Sequence, residues 1–282
     1  MFRLIKTFFS IILIFFIICL LIFVYSKHIE PFQLRVKEVS ITSPFISEQA
    51  EGLRIIAFAD THFGDIYSTD NFEKVLNAIE ENEPDIVFFL GDLIDHYDKY
   101  TDDKDIGEIS RLLNKIEAPY GKYAVFGNHD YGGGAENIYA DIMAAGGFKV
   151  LVNESTSIEE LGIRIIGNDD VVIGYGDPTV CEESKEEQYN IVLTHAPDVA
   201  DEVLEYGVDL ILAGHTHGRQ VNFNLSFLDN YTLPPYGRKY IKGLYEIGSV
   251  RLTKLYVNAG IGMTQLPVRF LSPPELTVIT LQ

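Results

Sequence analysis

Five apolar runs in this chain each end on a side chain able to bind a metal or move a proton. Ile55-Ile56-Ala57-Phe58-Ala59 leads into Asp60-Thr61-His62, and Ile86-Val87-Phe88-Phe89-Leu90 leads into Gly91-Asp92. Tyr123-Ala124-Val125-Phe126 leads into Gly127-Asn128-His129-Asp130, Ile191-Val192-Leu193-Thr194 into His195, and Leu210-Ile211-Leu212-Ala213 into Gly214-His215-Thr216-His217-Gly218. Unbroken apolar runs of this length read as strands covered on both faces. Open α/β sheets collect their ligands beyond the carboxyl ends of such strands. The blocks therefore predict a single site built from five strand ends.

The segments between them predict helices outside the sheets. Asp70, with Glu73 three residues on, can cap a helix in which Phe72, Val75, Leu76 and Ile79 recur at helical spacing. A second amphipathic helix carries Ile106, Ile109, Leu112, Leu113 and Ile116 and stops before Pro119. A third, of about a dozen residues, follows Gly132-Gly133-Gly134 and ends at Gly146-Gly147. Residues 148–176 read as short strands, 177–190 as a solvated acidic loop, and Pro197 to Tyr206 as a short helix stopped by Gly207. Leu34 to Ile41 alternates like a half-buried strand, a hairpin turns near Gly248-Ser249, and Leu276 to Leu281 is a last strand. This alternation predicts an α/β domain with two sheets packed face to face and helices outside.

Phe8 to Tyr25 is apolar apart from Ser10 and carries no charge. At about 1.5 Å per residue it just spans a hydrocarbon core. It is longer than the apolar core of a secretory signal, and Tyr25-Ser26-Lys27-His28 offers no small-residue cleavage site. Residues 1–26 are thus expected to be an uncleaved membrane anchor, 27–37 a tether and 38–282 the folded domain. Arg3 and Lys6 on one side, against Lys27, Arg35 and Lys37 on the other, leave positive-inside counting undecided. A lone N-terminal anchor usually exports a large trailing domain, so an extracytoplasmic domain is expected.

The formal charge of −19 argues against a nucleic-acid partner, which needs a run of cationic contacts. Cys19 lies in the apolar segment, and Cys181 stands among Glu182, Glu183, Glu186 and Glu187. That distribution excludes a disulfide framework within the domain and disfavours a thiolate nucleophile. Five of the seven histidines, His62, His129, His195, His215 and His217, sit in the five blocks beside Asp60, Asp92 and Asn128. Imidazole with carboxylate and amide oxygen suits Zn, Mn or Fe(II) better than Ca or Mg. The lack of thiolate ligands excludes a closed structural zinc site.

Taken in order and as a set, these blocks resemble the five motifs of the calcineurin-like metallophosphoesterases, over roughly residues 38–282. The tail Leu266-Pro267-Val268-Arg269-Phe270-Leu271-Ser272-Pro273-Pro274-Glu275 resembles the bacterial, often membrane-attached or exported, phosphodiesterase branch. The resemblance implies a four-layer α/β/β/α sandwich of two mixed β-sheets holding two divalent metal ions. One ion is implied on Asp60, His62 and His217, the other on Asn128, His195 and His215, with Asp92 bridging. His129 is implied to face the substrate as an acid, oriented by Asp95. The implied reaction is hydrolysis of a phosphate ester, a phosphodiester or pyrophosphate foremost, by hydroxide held between the ions. Anchored at a bilayer, such an enzyme is expected to act on lipid-linked or cell-envelope substrates.

Protein Ser/Thr phosphatases of the superfamily follow the second aspartate with Arg and Gly; here His96 and Tyr97 follow Asp95, which argues against that activity. His96 and Arg219 read either as substrate contacts or as surface residues, and Asp95 either as an orienting group or as a turn residue. Gly132-Gly133-Gly134 reads as a lip over the site or as a plain loop. Phe223, Phe227, Tyr231, Tyr236, Tyr240 and Tyr245 read as cleft lining or as packing, and Asp130 as a structural acceptor beneath its loop. A phosphomonoesterase or a nucleotide-sugar pyrophosphatase is the alternative among hydrolases. A catalytically dead binding scaffold is the alternative of another class, opposed by the presence of every motif residue.

Overall fold

The computed structural model describes residues 2–99, 103–223, 229–248 and 252–282. Two six-stranded mixed sheets form its centre. The first comprises β1 (Arg35–Ile41), β2 (Arg54–Phe58), β3 (Ile86–Phe89), β4 (Lys122–Ala124), β5 (Lys149–Val150) and β12 (Glu275–Leu281), in the order β1-β12-β2-β3-β4-β5. The second comprises β6 (Glu154–Ile158), β7 (Ile163–Gly167), β8 (Tyr189–Leu193), β9 (Leu210–Ala213), β10 (Gly243–Ile247) and β11 (Thr253–Val257), in the order β10-β11-β9-β8-β7-β6. The runs β2-β3-β4 and β7-β8-β9 are parallel, so their carboxyl ends emerge together.

Successive side chains of a strand point to opposite faces, and here both faces are buried. Ile55 and Ala57 of β2 join Ile191 and Leu210 between the sheets. Ile56 and Phe58 instead meet Phe72, Val75 and Ile79 of α2 (Thr69–Glu81) and Leu112 and Leu113 of α3 (Asp103–Asn114). The outer face of the second sheet, Val192 and Ile211, is covered by Val199, Ala200 and Val203.

That outer cover differs from the expected helix. Pro197–Asp201 and Leu204–Tyr206 are separate 3-10 turns. The Asp198 carboxylate accepts from the backbone N–H groups of Arg238, Lys239 and Tyr240, and Asp201 holds Lys239 and Tyr240. Tertiary bonds to that loop take the place of a regular helix. The third expected helix is likewise shorter: Gly132–Asn137 winds as 3-10, and only α4 (Tyr139–Ala145) is α-helical. Glycine is a poor helix former because it loses the most backbone freedom on ordering. The hairpin β10–β11 stands as read, while the hairpin residue Ser249 and the aromatic Phe227 lie outside the described residues.

α1 (Phe2–His28) is the one described helix long and apolar enough to cross a membrane. Residues 27–37 do not behave as a loose tether. Glu30 is 2% exposed, Pro31 and Leu34 pack beside Tyr67, Val75 and Ile261, and Arg35 N–H donates to Pro274 O at 2.8 Å. Strand β1 begins at Arg35 and pairs with β12. It is an edge strand with Val36 exposed, so the alternation in its sequence produces less burial than expected.

Cys181 is buried in the outer core of the second sheet, and burial pushes its thiol up to about 12. Burial, more than the surrounding glutamates, is what suppresses the thiolate. In the native protein at neutral pH, iodoacetamide should leave Cys181 unmodified over hours that suffice for complete reaction after denaturation, measured by mass spectrometry. Rapid native labelling would show that the 178–183 turn opens readily.

Candidate metal centre

Three of the five strand-end blocks turn sharply at the side chains they present. Asp60, His62, Asp92, His215 and His217 all adopt left-handed backbone conformations, with φ between 42° and 72°. Such residues cost about 1–3 kcal/mol each and persist only where their surroundings force them. The turns are also jammed together: a Cβ on Gly127 would lie 2.2 Å from Asp92 Oδ1. Asp130 ties two of these turns, its carboxylate accepting from the N–H groups of Asp92, Leu93 and Gly127. Burial and the charge of Asp92 push Asp130 up to about 7 even so. It is the structural acceptor expected from the sequence.

The result is a compact cluster. Ligand atoms of Asp60, His62 and His217 lie within 4.8 Å of one another, and so do those of Asp92, His195 and His215. Asp92 stands between the groups, its Oδ2 3.2 Å from His195 Nε2 and 3.5 Å from His62 Nε2. His62 Nε2 lies 3.1 Å from His217 Nε2. Asn128 shares the cavity wall with Asp92 and His215. All seven side chains that the resemblance implies as ligands therefore lie together.

The far side of two of these imidazoles is fixed by a carbonyl. His195 Nδ1 lies 2.7 Å from Leu90 O, and His215 Nε2 lies 2.8 Å from Pro235 O. A carbonyl only accepts, so these nitrogens carry the protons, leaving His195 Nε2 and His215 Nδ1 bare in the neutral rings. His195 Nε2 and Asn128 Oδ1 are buried without a hydrogen-bond partner. Two buried carboxylates, four imidazoles and the buried Asn128 oxygen are a donor set that fits divalent transition metals. The electrostatics agree: burial opposes charge on Asp92, but His195 and His129 hold its carboxyl well below the usual range. Burial raises Asp60, and burial together with His195 pushes His215 down to about 3.

His129 lies at the edge of this cluster, lining a cavity of about 630 Å³. Its backbone N–H donates to Asp92 Oδ1 at 2.8 Å. Asp95 reaches it chiefly through the main chain: His129 Nδ1 lies 2.8 Å from Asp95 O and 3.5 Å from Asp95 Oδ1. The Asp95 carboxylate is shared instead with His62 Nδ1 at 3.4 Å and the Thr264 hydroxyl at 3.0 Å. The sequence suggests a carboxylate–imidazole pair; the fold supplies a carbonyl. His96 is at the rim, its side chain 54% exposed. Arg219 lines the cavity but is clamped by Asp229, Nη2 to Oδ2 2.6 Å.

Three supporting features lie outside the residues singled out from the sequence. Arg269 is fully buried with Nη2 3.3 Å from His217 Nδ1. Thr264 positions Asp95. Asn168, Asp169 and Asp170 follow β7 and are fully buried, with Asp170 accepting from the N–H groups of Val172, Ile173 and Gly174. That acidic stretch had a readable signal, since Ile165-Ile166-Gly167-Asn168-Asp169-Asp170 is another strand ending in carboxylates.

The calcineurin-like phosphoesterase family model matches residues 53–219. The chain is a calcineurin-like metallophosphoesterase. Among its relatives, the uncharacterized metallophosphoesterase YkuE of Bacillus subtilis is 38% identical over 262 residues, covering 92% of this chain and 89% of the relative. UDP-2,3-diacylglucosamine pyrophosphatase LpxG of Chlamydia trachomatis is 26% identical over 322 residues, covering 92% of each chain. A dimetal phosphatase from Danio rerio shares the fold at a TM-score of 0.50 and 13% identity, over 82% of this chain and 99% of that one. This metallophosphoesterase is thus a phosphoric ester hydrolase with a divalent-metal site built from Asp and His.

Proposed function

We propose that the enzyme is a membrane-anchored, dinuclear phosphodiesterase or pyrophosphatase acting on lipid-linked or cell-envelope phosphate esters. The observation that carries the dinuclear reading is Asp92 standing between two separate ligand groups, Asp60/His62/His217 and His195/His215. Asn128, with its buried unpaired Oδ1, completes the second group. Mn, Zn or Fe suits this donor set. A bound pair of such ions supplies Lewis acidity toward phosphoryl oxygens and lowers the pKa of water.

The protein's own contribution centres on His129. Burial works against its charge, but Asp92, the Asp95 carbonyl and the Asp95 carboxylate outweigh burial and raise it. With Nδ1 directed at the Asp95 carbonyl, Nε2 is left to donate a proton to a departing ester oxygen. His129→Ala is expected to keep its metal and lose about 10²–10⁴-fold in kcat, the usual worth of a positioned acid. Metal analysis alongside turnover of a bis-aryl phosphodiester checks this, and unchanged kcat would remove His129 from the mechanism.

The substrate reading rests on the cavity. Beside the metal cluster its wall carries apolar residues, Val172, Val221, Phe223, Leu233 and Leu266, interspersed with polar ones such as Arg219 and Gln220. Phe223 packs against Phe270 with tilted rings 5.2 Å apart, and Phe270 in turn meets Tyr25 near the end of α1. An apolar route therefore joins the membrane-crossing helix to the site, suited to a substrate with an acyl or prenyl tail. LpxG, by its name, cleaves a diacylated sugar nucleotide at a pyrophosphate. An uncleaved anchor and an extracytoplasmic domain complete the proposal. Comparing a diester bearing a long alkyl chain with the same diester bearing a methyl group, in detergent, tests the substrate class: the reading expects kcat/KM to favour the long chain.

A further inference from the structure

The juxtamembrane segment is bonded to the metal cluster along two short routes. In the first, Arg269 N–H donates to Ser26 O at 2.9 Å, and the Arg269 guanidinium lies 3.3 Å from His217 Nδ1. In the second, Ser272 N–H donates to Glu30 Oε1 at 2.7 Å, and the Ser272 hydroxyl donates to His217 O at 3.0 Å. Both routes end on the same imidazole-bearing residue. Both cross one turn, 269–272, whose shape is set from outside by residues 25–30.

The fit is close and buried throughout. Glu30 is 2% exposed, and Ser272 and Arg269 are fully buried. Glu30 Oε2 is buried without a hydrogen-bond partner, so the bond from Ser272 N–H to Oε1 is what holds this carboxylate. Glu30 is also one of three carboxylates, with Asp60 and Glu275, that act on the Arg269 charge. Tyr25 meets Phe270 edge-on, with ring centroids 6.4 Å apart. On the metal side, Gly218 leaves room that no side chain could share, since a Cβ there would lie 2.6 Å from Ser272 Oγ. His217 itself sits at φ 49° and cannot hold that conformation without support from its neighbours.

We propose that the segment from Tyr25 to Phe32 is part of the metal site, and that Glu30 is a positioning residue which fixes His217 through the 269–272 turn. The proposal rests on the reading of His217 as a metal ligand. The residue does not touch substrate; it acts through Ser272 and Arg269. Groups that orient a ligand from outside typically carry ~10–100-fold in metal affinity. A tether would carry none. The span and the hydrolase are therefore one folded unit, and binding of metal reports on the state of the junction.

The test uses the full chain in detergent, stripped of metal and titrated with Mn²⁺ by calorimetry. Glu30→Leu and Ser272→Ala are each expected to weaken Mn²⁺ binding about tenfold, the low end of the range for orienting groups. Glu30→Gln, whose amide oxygen can accept from the same Ser272 N–H, is expected to bind within about twofold of wild type, a conservative rescue that mere packing would not require. Wild-type Mn²⁺ affinity in a folded Glu30→Leu chain would overturn the proposal. If Glu30→Leu does not fold, Ser272→Ala decides: it removes only a hydroxyl, and unchanged affinity there overturns the proposal equally. Asp60→Asn serves as the control for the underlying reading. If it fails to weaken Mn²⁺ binding, or if wild type does not bind Mn²⁺, the ligand assignment fails and the positioning role falls with it; a loss in Asp60→Asn without one in Ser272→Ala defeats the positioning role alone.

Discussion

Asp92→Asn should yield a folded protein that retains little metal and almost no phosphodiesterase activity. Asp92 reaches both ligand groups more closely than Asp60 does: its Oδ2 is 3.2 Å from His195 Nε2 and 3.5 Å from His62 Nε2, where Asp60 Oδ1 is 3.9 Å and 4.0 Å from the same nitrogens. Its other oxygen receives the His129 backbone N–H at 2.8 Å. The amide keeps the shape but removes the negative charge between the two groups, and one of its two heads becomes a donor. The loss of metal affinity should exceed the ~10–100-fold typical of groups that merely orient a ligand. Folding should survive, because a buried carboxylate beside Asp60 is costly in the metal-free protein. Thermal unfolding checks both halves. At metal concentrations about 100-fold above Kd, wild type should gain about 2.7 kcal/mol of stability, and the variant none. A variant that still gains stability from metal, or that turns over at the wild-type rate, would break the dinuclear reading.

Arg269→Met should be the most destabilising of the substitutions considered, by about 3–5 kcal/mol, the range for breaking a buried charge network. Its guanidinium donates to the carbonyls of Ala259, Gly260, Gly262 and Ser272, at 2.7–3.2 Å. Burial pushes it down to about 10, with Asp60, Glu275 and Glu30 opposing that fall, so it stays charged at neutral pH. Methionine would leave those carbonyls without donors and three carboxylates without their cation. Arg269→Lys should recover only part of the loss, because one ammonium has three donors on a flexible stem and no planar fork. Urea denaturation should show a lower midpoint with an unchanged m-value. A midpoint within about 0.5 kcal/mol of wild type would mean that this network contributes little.

These two residues mark the boundary of what residue identity reveals. Asp92 was conspicuous because it ends an apolar strand, and the same grammar marks Asp60, His62, Asn128, His129, His195, His215 and His217. Arg269 was not, because its partners are main-chain carbonyls that any residue at 259, 260, 262 and 272 would offer. Asp95 illustrates the same limit at a residue the sequence did single out. Its carboxyl was the visible group, yet its carbonyl makes the short contact with His129. Glu30 looked like part of a linker, because nothing local shows that it will meet Ser272, 242 positions away.

The sequence by itself determined the class of fold and the order of its parts. Unbroken apolar runs ending in ligand-type side chains, helical spacing in α2 and α3 and a chargeless apolar stretch at the N-terminus are local properties, written in which residues recur and how often. Only the tertiary structure decided how the strand ends meet, which imidazole nitrogen is left bare, and that the segment following the N-terminal apolar helix packs against the turn behind His217. Those outcomes depend on backbone groups and on contacts across hundreds of positions, and close packing of two buried sheets fixes them together or not at all.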